Sequence, residues 1–195
     1  MKPCLLNLAL ILFFSKSLLR HPLARSPIEE FTGESQFQWI IPDPEHGNSI
    51  NEPDQIDRVI LCTGQVYAAL HKHRADNGHK DTAITRIEQL NPFPWQLLKE
   101  NLDKYPNAKT IVWCQEEPLN AGAWSFTQPR IETLLNNTEH HDRKHVMYAG
   151  RDPSASVVCI FTFFLIFNSL TNMDIGNRIK SITYKGGEET LGDRI

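Results

Sequence analysis

The sequence predicts a three-layer α/β/α domain built on a mainly parallel sheet. Short apolar runs recur at Val59–Cys62, Thr82–Ile87, Ile111–Cys114 and His145–Ala149. Stretches with helical spacing separate them, and turn residues punctuate the junctions: Gly64, Asn77 with Gly78, Asn91 to Pro94, and Pro106 with Asn107. Runs this short and this apolar fit strands covered on both faces. Strands alternating with helices imply parallel neighbours joined by right-handed crossovers.

Taken in order, the chain opens on an ambiguity. Lys2 followed by the apolar run Leu5 to Phe14 resembles a signal peptide, yet no small-x-small cleavage site follows it. A buried strand at Leu10–Phe14 is the better fit. Residues 23–57 hold Pro27, Pro42, Pro44 and Pro53 with Gly33 and Gly47, a composition for an extended, turn-rich linker. Phe37, Trp39, Ile40 and Ile41 are its candidates for pinning onto a neighbouring surface. From Gln65 to Arg74, apolar residues at 66, 67, 69 and 70 mark a helix closed by Asn77 and Gly78. Pro94 suits the first turn of a second helix reaching Tyr105, with Leu97, Leu98 and Leu102 facing inward. A third, shorter helix is expected over Thr127–Leu135.

Composition narrows the function. The 195 residues leave room for one domain plus tails, and 41% hydrophobic with 22% charged residues describes a chain able to bury a core. A net charge of −3 without a Lys/Arg run gives no sign of a nucleic-acid surface. The run Val157–Phe167 has eleven residues, short of the ~20 that span a bilayer. No nucleic-acid or membrane partner is expected. Cys4, Cys62, Cys114 and Cys159 form no CxxC pair, and Cys62 and Cys114 sit inside strand-like runs, as buried cysteines of a reducing compartment do.

Candidate chemistry is sparse. Glu116 and Glu117 follow the Ile111–Cys114 run, where strand ends of open α/β sheets gather ligands and partners. Adjacent strand residues point to opposite sides, so the two carboxylates suit turn bonds and an interface better than shared acid–base work. His71 and His73 are about 200° apart on a helix, too far round for one metal. His140, His141 and His145 read as a solvated loop without a zinc set. Thr63 and Gly64 before a helix make only a weak nucleotide signal. No metal site follows.

Five collinear blocks carry a resemblance: Lys16–Pro22 (KSLLRHP), Arg58–Gly64 (RVILCTG) with Val66 and Tyr67, Ile84–Leu90 (ITRIEQL) with Pro92–Pro94 (PFP), Trp113–Pro118 (WCQEEP) with Gly122, and Tyr148–Pro153 (YAGRDP). Over residues 10–157 the chain resembles the C-terminal domain of the thiamine-dependent component of the 2-oxoglutarate dehydrogenase complex, fungal mitochondrial forms above all. The resemblance implies a remnant last strand of the pyrimidine-binding domain at 1–22, the linker at 23–57, a transketolase-type C-terminal domain at 58–157, and a tail at 158–195 foreign to the family.

In that family thiamine diphosphate supplies the electron sink for decarboxylation, and Mg2+ bridges its diphosphate to the protein. The magnesium-binding Gly-Asp-Gly segment is missing here, Asn136 and Asn137 have no such partner upstream, and the glutamate and histidines that work on cofactor and substrate belong to upstream domains. The resemblance therefore implies no catalytic residue, no cofactor and no metal in this chain. Its implied partners are a second subunit in a homodimer and the lipoyl-bearing succinyltransferase component. Glu116, Glu117, Gly122 and Trp124 would form an interface loop. Some relatives bind acetyl-CoA as an activator beside this domain, which makes Lys16, Arg20 and Arg151 candidate phosphate contacts. The implied location is the mitochondrial matrix, although the chain shows no recognisable transit peptide. Val158-Cys159 can be written GTATGT, a splice-donor word, so the tail is expected to be translated intron and the chain a truncated gene model; transcript sequence continuous through codon 195 would sink that expectation. Marginal folding and exposed apolar surface are expected. The alternatives are a small secreted binding protein with residues 1–14 as its signal and a free-standing nucleotide- or CoA-binding module. N-terminal sequencing and calorimetry against acetyl-CoA, AMP and NAD separate them.

Overall fold

The structure is a computed structural model, and it describes residues 18–141 and 144–155. The expected strand at residues 10–14, Lys16 and the tail from 158 lie outside them. Five strands form one sheet: β1 (Ile40–Ile41), β2 (Arg58–Cys62), β3 (Thr82–Ile87), β4 (Thr110–Pro118) and β5 (Val146–Arg151), in the order β1-β3-β2-β4-β5. All neighbours run parallel except β1, which pairs antiparallel with β3. The helices are α1 (Val66–Asn77), α2 (Trp95–Leu102) and α3 (Trp124–Leu135).

The period of two along each strand decides which helix covers which face. Val59 and Leu61 of β2, Ile111 and Trp113 of β4, and Ala83 and Ile87 of β3 pack with Leu98 and Leu102 of α2 and Ile131 and Leu135 of α3. The alternate residues Ile60, Cys62, Ile84, Val112, Cys114 and Ala149 meet Val66, Tyr67 and Leu70 of α1 on the other face. The α/β/α layering is therefore as the sequence predicts, with both faces of the sheet dry. Burial pushes the Cys114 thiol up to about 12 and raises Cys62 as well, so both stay protonated and inert.

Several boundaries differ, for physical reasons. Helix α1 ends as expected: Gly78 takes a φ of 67°, and its N–H reaches the Ala75 carbonyl at 3.3 Å. Helix α2 stops at Leu102 instead of Tyr105, yet Tyr105 and Ala108 remain in the core. Leu97 does not face inward with Leu98; residues one apart differ by about 100° around a helix, and Leu97 is 43% exposed. Helix α3 begins three residues early, at Trp124. Strand β4 runs on to Pro118 through an irregularity after Cys114, so Glu116 and Glu117 lie in the strand and not in a loop.

Residues 39–57 contribute to the domain more than their proline content suggests. Ile40, Ile50 and Ile56 enter the core, whereas Phe37 and Trp39 do not pin the segment. Asp43, 5% exposed, anchors it instead. Its carboxylate takes the Ile84 N–H at 2.7 Å and the Arg74 guanidinium, which also donates to Glu45 at 2.8 Å and to the Thr82 carbonyl at 3.2 Å. His71 completes the chain at 2.7 Å from Glu45. Nearby, His46 Nδ1 lies 3.0 Å from the Asn51 carbonyl and must carry the proton; its Nε2 then accepts from the Tyr105 hydroxyl at 2.9 Å. Upstream of residue 39 the character changes, with Leu19, Ile28 and Phe31 all more than 60% exposed.

Candidate functional site

The carboxyl ends of β2 and β4 face the place where the sheet order reverses. Strand β2 leaves toward α1 on one face, and β4 leaves toward α3 on the other. In open sheets that crevice is the usual ligand or partner position. Here Gln65, just ahead of α1, donates to Glu116 of β4 at 2.7 Å and spans the reversal. Glu116 is thus occupied by a neighbour, while Glu117 points to the other side, as strand alternation requires.

The segment from Gln115 to Trp124 is fastened from beneath by one amide. Gln115 is 1% exposed. Its Oε1 accepts from Trp113 Nε1 and from the Trp124 backbone N–H, both at 3.0 Å. Its Nε2 donates to the Ala121 carbonyl at 2.8 Å and the Pro118 carbonyl at 3.2 Å, with the Glu117 carbonyl at 3.3 Å. Donors meet only the oxygen and carbonyls only the nitrogen, so the amide has one workable orientation. The strand end, the turn and the first residue of α3 converge on a single side chain.

Gly122 sits on that amide. Its φ is 68°, and a Cβ there would come within 2.8 Å of Glu117 Cβ and 2.9 Å of Gln115 Nε2. No L-residue with a side chain fits without moving the loop. From β5, the Tyr148 hydroxyl lies 3.1 Å from both the Glu117 and the Arg151 carbonyls and donates to one of them at a time. Burial raises the Tyr148 phenol to about 12, so it stays a donor. Its ring lies 5.1 Å from that of Trp124. Asn120 and Ser154 exchange a reciprocal pair of bonds at 3.1 and 3.0 Å.

Glu116, Glu117, Gly122 and Trp124 therefore belong to one rigid element. The cations do not gather in the same way. Arg20 is exposed at the end of a short 3-10 turn, whereas Arg151 is buried in β5 at 5% exposure. His141 departs from the expected solvated loop. It is fully buried, with Nε2 donating to the Leu102 carbonyl at 3.0 Å and Nδ1 accepting from Lys144 Nζ at 3.0 Å. Burial lowers its pKa, so the ring is neutral. Gln115 and Tyr148 are the residues sequence reasoning passed over. The one available signal was the spacing of Trp113 and Gln115, which places both on the same strand face. Among the described residues, no three His, Cys, Asp or Glu side chains gather to hold a metal ion. No described helix is long and apolar enough to cross a membrane.

Comparison with known proteins assigns this architecture. The chain is 55% identical over 148 residues to the mitochondrial 2-oxoglutarate dehydrogenase of Saccharomyces cerevisiae, covering 76% of this chain and 14% of that protein. It is 54% identical over 149 residues to the Schizosaccharomyces pombe protein of the same name, again 76% of this chain and 14% of the relative. Identity to the Caenorhabditis elegans protein is 47% over 147 residues, 75% and 14% of the two chains. The chain thus spans about 14% of the length of the curated relatives it matches. Residues 25–160 match the family described as 2-oxoglutarate dehydrogenase C-terminal, and the chain belongs to that family.

Proposed function

We propose that this chain is the architectural and regulatory C-terminal domain of a mitochondrial 2-oxoglutarate dehydrogenase, and that the decarboxylation chemistry is housed in other parts of the polypeptide. The observation that carries this is the Gln115-anchored element, in which the available polar groups bond one another to stiffen a surface. Glu116 is held by Gln65, and Tyr148 is spent on main-chain carbonyls. A stiff, half-buried loop with aromatic Trp124 at its end suits contact with a second subunit, because little side-chain freedom is lost on binding. The lipoyl-bearing succinyltransferase component is the proposed outer partner, and the mitochondrial matrix the proposed location.

Thiamine diphosphate and Mg2+ would be bound elsewhere in the full-length enzyme. Purified chain supplied with both and with carboxyl-labelled 2-oxoglutarate should release no labelled CO2; release above the protein-free rate would end the proposal. The effector reading falls on Arg20, which is exposed, more than on buried Arg151. In a full-length enzyme carrying this domain, Arg20→Ala should remove activation by acetyl-CoA and leave the basal rate unchanged.

A further inference from the structure

A groove of about 500 Å3 runs between residues 36–42 and α2. Phe37, Trp39 and Leu97 wall it and are 67%, 40% and 43% exposed. Asn101 also lines it. That residue is 2% exposed, its Oδ1 accepts the Thr85 hydroxyl at 2.8 Å, and its Nδ2 is enclosed beside the Tyr105 hydroxyl, so its amide faces the protein interior. The charged residues of the groove are one of each sign, Glu100 and Lys104, which favours an uncharged occupant.

The sheet ends at the same place. Strand β1 is outermost, pairs with β3 on one side, and passes the Trp39 carbonyl to the Glu88 and Gln89 N–H groups at 2.9 and 3.1 Å. Its other edge has no strand beside it among the described residues. An open edge next to an apolar groove is the arrangement that takes up an extended peptide.

Length supplies the occupant. The relatives are about seven times longer than the matched region, and the matched family is their C-terminal part, so most of their polypeptide precedes this domain. The exposed apolar side chains of residues 19–39 lie along the segment by which that polypeptide arrives. We propose that the groove between residues 36–42 and α2 seats an extended, uncharged apolar segment of the preceding polypeptide. The proposal rests on the domain assignment above and adds where the upstream part docks and what chemistry it brings.

The test uses the Saccharomyces cerevisiae enzyme with residues 25–155 of this chain in place of its corresponding segment. A photo-crosslinking residue replaces Phe37, and the products are mapped by mass spectrometry alongside turnover. Crosslinks should join position 37 to an upstream apolar stretch. Leu97→Glu should lower their yield about tenfold, the factor carried by one buried apolar side chain, and Leu97→Met should retain it. Crosslinks to the same groove of a second subunit, or a yield no higher than from the exposed position Lys72, in a chimera that turns over would overturn the docking site and leave the domain assignment standing. A chimera that stays folded by circular dichroism, lacks turnover and gives no upstream crosslink would overturn both.

Discussion

At the residue scale, two buried polar side chains hold the segments that hydrophobic packing alone leaves undefined. Gln115 fixes the strand-to-helix element, and leucine has nearly its volume without its hydrogen bonds. Gln115→Leu orphans the Trp113 Nε1 donor and the Trp124 N–H inside a dry site, so it should cost ~2–4 kcal/mol of unfolding free energy, measured by urea denaturation. A loss below about 0.5 kcal/mol would mean water replaces the amide without penalty. Asp43 does the same for the incoming segment. Asp43→Ala leaves the Arg74 guanidinium, 5% exposed, with the half-buried Glu45 as its one remaining carboxylate beside the Thr82 carbonyl, and should cost ~3 kcal/mol. Adding Arg74→Ala should recover part of that loss, because the stranded charge then goes too. An additive double variant would show that the two groups act independently.

At the element scale, the join between the end of α2 and the approach to β5 depends on a neutral histidine. His141 donates to Leu102 and accepts from Lys144, whose Nζ also reaches the Ala108 carbonyl. Burial, with the neighbouring Lys144 and His140 charges, lowers its pKa; the Leu102 bond and Asp103 pull the other way and do not win. The unfolded chain therefore takes up this proton first as pH falls. Stability should be full above the unfolded value of 6.5 and decline between that value and the lowered folded one. Below the folded value this group adds no further slope. Thermal melts from pH 7.5 to 5 should show the decline, and His141→Gln should flatten it. An unchanged slope in the variant would place the titration on another group.

At the scale of the whole molecule, the core is complete on both faces of the sheet, yet apolar side chains remain at the surface. Exposed aromatic and aliphatic side chains collect on residues 19–39 and the start of α2. Patches of that kind drive association when their partner is missing. The purified chain should sediment as concentration-dependent oligomers, and Phe37→Ser with Trp39→Ser should shift it toward monomer while moving Tm by less than about 2 °C, because neither side chain belongs to the core. A large fall in Tm would instead assign both rings a role in folding.

Strands β2 to β5, the three helices and the two-faced core were legible because they depend on local periodicity and on turn residues such as Gly78, whose backbone demand is independent of distant contacts, whereas β1 fell in what read as linker. The family was legible from five blocks of wording. Other features depended on residues far apart in sequence. Leu97 and Leu98 are indistinguishable in the sequence until the placement of the sheet makes one core and the other groove wall. Residues 39–57 look like a linker until Arg74, 31 positions after Asp43, supplies the charge that draws them in. Gln115 reads as one more polar residue until Ala121, Pro118 and Trp124 fold back around it. Periodicity and backbone preference act over a few residues and can be read along the chain; a buried hydrogen bond exists only once both ends have been brought together.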